Sequence, residues 1–134
     1  MSSTRAHVAV VGAVIVRDGF VLAAKRGEQK AQAGLWEFPG GKIEAGETPD
    51  AALRREIREE LRCGIVVGER IETTTYAYEN VTVALTTYFC TLDGGEPEAT
   101  EHAELRWVAA SGLDELEWAP ADIPTVTQLR AAMA

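Results

Sequence analysis

Glu56, Glu59 and Glu60 stand close together in a stretch where Leu53, Ile57 and Leu61 recur at helical spacing. At about 100° per residue the three carboxylates fall on one arc of a helix. The apolar residues lie beside them, and Arg54, Arg55, Arg58 and Arg62 take the remaining side. Glu60 borders the apolar stripe, where water is partly excluded. Carboxylates crowded in this way repel one another, and their pKa values rise unless a cation neutralises them. Mg²⁺, or Mn²⁺ in its place, suits such a site, because hard cations prefer carboxylate, carbonyl and water oxygens. A solvated glutamate face balanced by arginines is the competing reading.

The residues upstream decide between the two. Phe38-Pro39-Gly40-Gly41-Lys42 is a tight turn that glycine permits, able to offer a bare backbone carbonyl. Gly46-Glu47-Thr48-Pro49-Asp50 is a helix start, with Thr48 as the N-cap, Pro49 at the first helical position and Asp50 at the positive dipole end. Lys42 adds a cation near where phosphate oxygens would lie. A glycine turn feeding a rigid carboxylate helix can grip a metal ion that carries a polyphosphate.

These residues resemble the Nudix box: Gly, five residues, Glu, seven residues, Arg-Glu-apolar-x-Glu-Glu, then x-Gly-apolar. Gly41, Glu47, Arg55, Glu56, Ile57, Glu59 and Glu60 match at the right spacing. The closing Gly of the pattern falls on Arg62, and Gly64 comes two residues late. The expectation is therefore a short extension, Arg62-Cys63, that carries the helix to a glycine cap at Gly64. Further similarity, in Ala24-Lys25-Arg26, Gly34 to Gly41 and Trp118 to Pro124, resembles MutT-like nucleoside triphosphate pyrophosphohydrolases, most nearly the CTP pyrophosphohydrolase branch.

The resemblance implies an α/β fold, the Nudix α/β/α sandwich with a mixed sheet, and water-driven cleavage of a nucleoside polyphosphate. It implies metal ligands at Gly41, Glu56, Glu59 and Glu60, with Glu101 as a further ligand from an acidic loop. Either Glu56, the preferred candidate, or Glu101 would accept the proton of the attacking water. Glu47 and Arg55 look like the structural pair of the box. Arg26 would contact phosphate, Phe38 and Tyr76 or Tyr78 would stack on the base, and Asp122 would meet the base edge. An ionised carboxylate only accepts hydrogen bonds, so Asp122 favours an amino or ring N–H donor, which both cytosine and oxidised guanine present. Cleavage of ADP-ribose, NADH or dinucleoside polyphosphates, and nucleotide sensing without turnover, are the alternatives.

The chain has 134 residues, 46% of them hydrophobic and 25% charged, as expected for one domain spanning 1–134. A net charge of −8 argues against a nucleic-acid polymer or an anionic membrane as partner. Cys63 and Cys90 form neither a zinc spacing nor a disulfide framework. Val8 to Val16 is too short for a membrane span and reads as a buried strand. The expected compartment is the cytoplasm, and the expected state a monomer or homodimer.

The elements follow from turns and periodicity. Val8 to Arg17 reads as a central strand, turned by Asp18-Gly19 into Phe20 to Arg26. A polar loop, Gly27 to Gly34, precedes a short strand from Leu35 to Phe38. The main helix follows, from Thr48 to about Cys63. Ile65 to Tyr78 and Val81 to Leu92 form a hairpin through Glu79-Asn80. Leu105 to Val108 is another strand, Ser111 caps a helical turn, and Ile123 to Met133 is a terminal helix.

Overall fold

A computed structural model describes residues 6–133; the outermost residues of the domain expected over 1–134 lie outside the described residues. Seven strands appear in chain order: β1 (Ala6–Arg17), β2 (Phe20–Lys25), β3 (Trp36–Glu37), β4 (Gly40–Lys42), β5 (Ile65–Ala77), β6 (Val81–Leu92) and β7 (Glu104–Ala109). Two α-helices, α1 (Pro49–Leu61) and α2 (Ile123–Ala132), accompany them. The strand order β3-β2-β1-β6-β5 places β1 at the centre, with β4 also paired to β1 and β7 to β2.

Local chemistry explains the first hairpin. Asp18 and Gly19 both take positive φ, 52° and 81°, the combination a two-residue turn needs to match strand twist. Val16 then pairs with Val21, and Arg17 with Phe20. The rest of β1 runs parallel to β6 from Ala6↔Val81 to Ile15↔Cys90, while β4 pairs antiparallel with it from Val10↔Lys42 to Gly12↔Gly40. The sheet is therefore mixed, as expected.

Alternation along β1 divides the core between the two faces. Val11, Ala13 and Ile15 join Leu53, Ile57 and Leu61 of α1 on one face. Val14, with Val21 and Ala23 of β2, joins Trp36, Phe38, Trp118 and the α2 residues Val126 and Leu129 on the other. Two helices on opposite faces of one sheet make the α/β/α sandwich. Cys63 and Cys90 lie in the first of these cores as free thiols. Burial pushes the Cys90 thiol up to about 12 and also raises that of Cys63, so both stay protonated and idle.

Besides Phe38 to Lys42, expected as a tight glycine turn but containing strand β4 with neither Gly40 nor Gly41 at positive φ, three local expectations require correction. Helix α1 ends at Leu61, and Arg62 itself takes the left-handed cap with φ 59° and an N–H bonded to the Arg58 carbonyl at 3.1 Å. Arg62 thus stands where the pattern has glycine, and no extension reaches Gly64. Gly64 is needed for another reason: it exchanges backbone hydrogen bonds with residues 93 and 94, and a Cβ there would lie 2.4 Å from the Asp93 carbonyl oxygen. Second, the turn at Ala110–Glu115 has Ala109 at its cap position and no side-chain cap, so Ser111 is inside it. Third, Arg55 does not keep to the side of α1 opposite the glutamates; it bonds Glu56 and Glu59.

The Arg62 cap leads to a prediction. A side chain at positive φ costs about 1–2 kcal/mol, partly offset by the extra chain entropy of glycine, about 0.5–1 kcal/mol. Arg62→Gly should therefore stabilise the protein by about 0.5–1 kcal/mol. The check is a higher urea midpoint at unchanged m-value; an unchanged or lower midpoint would show that the Arg62 side chain compensates for its backbone.

Candidate active site

The loop from β4 to α1 is held by one guanidinium. Arg55 Nε and Nη2 donate to Glu47 Oε2 and Oε1 at 2.7 and 2.9 Å, a two-pronged pair. Arg55 Nη2 also donates to the Lys42 carbonyl at 3.1 Å, and Nη1 donates to Glu56 Oε2 at 2.9 Å and Glu59 Oε1 at 3.3 Å. Glu47 accepts the Glu44 N–H at 2.9 Å as well. Arg55, then the Glu44 N–H, hold the Glu47 carboxyl down at about 2, and Glu47 and Glu56 raise Arg55 further above its basic value. Thr48 caps α1 by accepting the Ala51 N–H at 3.1 Å, so turn and helix meet at a set angle.

Above this brace, Gly41 lies against Glu56. A Cβ on Gly41 would fall 2.3 Å from the Glu56 carboxyl carbon. Glu60 is one turn further along α1 and lines a cleft of about 420 Å³. Gly41, Lys42, Arg26, Phe38, Tyr78, Glu101 and Asp122 line the same cleft, so it gathers the expected phosphate, base and acidic-loop residues. Glu56 is tucked beneath, with its side chain 15% exposed, while Glu59 is 59% exposed on the outer turn. Glu101 stands at the cleft with its carboxylate 3.4 Å from Lys30 Nζ. Tyr76 is exposed and packs on Tyr78, with ring centroids 4.7 Å apart.

The fit to a cation rests on Glu60. Its Oε1 is buried without a hydrogen-bond partner. Burial first, then the charges of Glu37, Glu56 and Glu101, push its carboxyl up to about 8. A divalent ion would satisfy the orphaned oxygen and remove the repulsion. Among the described residues no three His, Cys, Asp or Glu side chains form a ready-made ion-binding group. Mg²⁺ suits such oxygen donors, its shell being completed by water and substrate phosphate.

The part of the cleft expected to meet the base, at Asp122, is built by the turn around Pro120. The Trp36 N–H donates to the Glu117 carbonyl and the Ala119 N–H to the Trp36 carbonyl, both at 2.8 Å, which docks this turn on β3. The Ala121 N–H donates to the Tyr78 hydroxyl at 3.0 Å. Asp122 is consequently buried, and its Oδ1 accepts the Phe38 N–H at 3.0 Å. Burial, then the Glu37 charge, hold the Asp122 carboxyl well above the usual carboxylate range, against the pull of the Phe38 N–H and Arg26. Phe38 itself is 3% exposed and stacked on Trp118 at 4.7 Å. Its ring is wedged in the core with a side toward the cleft.

Two further residues line the cleft, neither of which the sequence reading gave a role. Glu37 accepts from Arg26 Nη1 at 2.6 Å, and its other oxygen lies 2.8 Å from His102 Nε2. Glu37 is next to Phe38 and His102 next to Glu101, but no spacing rule links positions on separate elements. Only the pairing of β2 with both β3 and β7 brings them together.

The NUDIX domain pattern matches residues 5–129. The chain is 39% identical over 127 residues to the CTP pyrophosphohydrolase of Escherichia coli K12, covering 95% of this chain and 94% of that protein. It is 34% identical over 121 residues to the 8-oxo-dGTP diphosphatase of Haemophilus influenzae, covering 89% of each. The solution structure of MutT from methicillin-resistant Staphylococcus aureus 252, described as a Nudix hydrolase, matches with a TM-score of 0.79 at 45% identity, over 96% of this chain and 99% of that one. Box, sandwich and relatives agree: the chain belongs to the Nudix family of hydrolases, enzymes that generally need a divalent metal ion such as Mg²⁺.

Proposed function

We propose that this protein is a Mg²⁺-dependent pyrophosphohydrolase that cleaves nucleoside or deoxynucleoside triphosphates to the monophosphate and pyrophosphate. The observation that carries the reading is one cleft lined both by an unsatisfied buried carboxylate, Glu60, and by a buried acid, Asp122. Similarity to a CTP pyrophosphohydrolase and an 8-oxo-dGTP diphosphatase supports CTP, dCTP or modified forms as substrates, with 8-oxo-dGTP overlapping. Such an activity fits sanitation of the nucleotide pool by a cytoplasmic enzyme. Among the described residues no helix is long and apolar enough to cross a membrane.

In this reading Gly41, Glu56, Glu59 and Glu60 hold the cation with help from Glu101, and the ion supplies charge neutralisation and activation of water. Arg26 and Lys42 orient the phosphates. Water adds to the α- or β-phosphorus as the bridging P–O bond at that phosphorus breaks, and pyrophosphate (α attack) or the nucleoside monophosphate (β attack) leaves with the bond's electron pair. Glu101 is better placed than Glu56 to hold the proton lost by water, because it lies on the cleft wall while Glu56 is tied to Arg55.

Asp122 reads the base. Burial raises the pKa of its carboxyl, and in the protonated form it would both donate and accept, matching a base edge that pairs a donor with an acceptor, such as N4 and N3 of cytosine. Asp122→Ala should compress the kcat/KM ratio between the best and worst triphosphates by about tenfold, the worth of one good base contact, while Asp122→Asn keeps most of it. A uniform fall over all substrates in both variants would instead assign Asp122 to folding.

The reading as a whole is tested by a panel of triphosphates, ADP-ribose, NADH and dinucleoside polyphosphates with Mg²⁺, ranked by kcat/KM. A pyrimidine or oxidised purine triphosphate should lead. A diphosphate conjugate at the head of the ranking would overturn the proposed substrate class.

A further inference from the structure

The acidic loop before β7 is tied down on both sides of Glu101. The Glu98 N–H donates to the Leu61 carbonyl at 2.9 Å, Thr100 Oγ1 donates to the Glu60 carbonyl at 2.6 Å, and the Ala103 N–H donates to the Lys25 carbonyl at 2.9 Å. Within this frame the His102 side chain turns inward and is only 6% exposed, with Nε2 2.8 Å from Glu37 Oε2. The other Glu37 oxygen accepts Arg26 Nη1 at 2.6 Å, and Arg26 Nε donates to the Ala31 carbonyl at 2.6 Å. One carboxylate therefore joins Arg26 on the cleft wall to the loop that presents Glu101.

The proton on the imidazole follows from its partner. Arg26 already donates to Glu37, and a carboxylate oxygen facing Nε2 accepts from it, so Nε2 carries a hydrogen. Nδ1 is buried and without a hydrogen-bond partner. Leaving a buried polar atom unpaired is unfavourable, and a ring turned to water would avoid it. The bond to Glu37 holds the ring in place despite that penalty.

We infer that His102 is a positioning residue: through Glu37 it sets Arg26 on one wall of the cleft and the Glu101 loop on the other, before substrate arrives. This rests on the pyrophosphohydrolase reading, since it assigns the two walls to phosphate and cation. His102 acts by fixing Glu37.

Glutamine and asparagine separate this role from mere filling of space. The Gln amide nitrogen reaches the place of Nε2, whereas the Asn amide reaches only that of Nδ1. Mn²⁺ affinity is read by water-proton relaxation, and nucleotide affinity by titration with an α,β-methylene triphosphate. His102→Gln should stay within about threefold of the wild type in both, while His102→Asn loses roughly tenfold or more, as for other residues that orient a ligand. In turnover, His102→Asn should raise KM more than it lowers kcat. Equal affinities in the two variants, at whatever level, would overturn the inference. Wild-type inactivity toward every triphosphate would overturn the pyrophosphohydrolase reading alone, and the Mn²⁺ comparison would still decide the role of His102.

Discussion

Glu60→Gln should lower kcat by roughly a hundredfold or more at saturating Mg²⁺ and triphosphate, a loss typical of removing electrostatic stabilisation of a transition state. The same change should stabilise the metal-free protein above neutral pH. In the folded chain Glu60 titrates near 8 against an ordinary 4.5, so the native state binds the proton more tightly than the unfolded chain. Without metal, stability should therefore fall as pH rises from about 4.5 through about 8. At about 1.4 kcal/mol per unit, the whole effect is of the order of a few kcal/mol. Gln carries no charge and escapes this loss, so wild type and variant should denature alike near pH 4 and diverge at pH 8. Added Mg²⁺ should restore the wild type and leave the variant unmoved. Denaturation curves at the two pH values, with and without Mg²⁺, test each part. Full activity in the variant, or no divergence at pH 8, would take Glu60 out of the cation site.

Alanine at two adjacent glycines should give opposite kinds of damage. A Cβ on Gly40 would lie 1.9 Å from the Val11 carbonyl oxygen and 2.9 Å from the Gly12 Cα. Both are main-chain atoms of the central strand, where β4 pairs with β1. Nothing there can rotate away. Gly40→Ala should cost roughly 3 kcal/mol or more of stability, at the severe end for a point substitution. The three atoms nearest a Cβ on Gly41 are those of the Glu56 carboxylate, at 2.3 to 2.6 Å. That side chain can swing aside, so Gly41→Ala should fold but displace Glu56 from the loop and from Arg55. A misplacement of about 1 Å in a reacting constellation can cost on the order of a hundredfold in rate. Denaturant midpoints and kcat measured on both variants distinguish the two effects. Matching losses of stability would show that the Glu56 carboxylate is as immovable as the strand.

Much of the positioning was legible because it is local. Asp18-Gly19 specifies its turn by backbone preference, Thr48-Pro49 starts α1, and the period of Leu53, Ile57 and Leu61 gives its buried face. Glu47 and Arg55 were joined only through the family pattern, and the structure adds that the same guanidinium also holds Glu56, Glu59 and the Lys42 carbonyl. What escaped the sequence is what depends on distant pairing. The Glu37–His102 contact links positions 65 residues apart. The packing of Phe38 on Trp118 requires the Pro120 turn to fold back over β3. Arg62 in a left-handed cap escaped for a different reason: helix-end rules expect glycine, and a backbone cost of about 1–2 kcal/mol is within what tertiary packing can impose.

The parallel pairing of β1 with β6 has a consequence for how the chain is made. The two strands bond along ten successive positions, from Ala6↔Val81 to Ile15↔Cys90, yet β2, β3, β4, α1 and β5 all lie between them in sequence. During synthesis the apolar β1 segment waits, one edge unmated, until the five intervening elements and then β6 have followed. Closing so long a loop carries an entropic barrier before any contact rewards it. Assembly should therefore be slower than in helical bundles of similar size, and nascent chains halted before residue 81 should be caught by proteases or chaperones rather than accumulate in a native-like form.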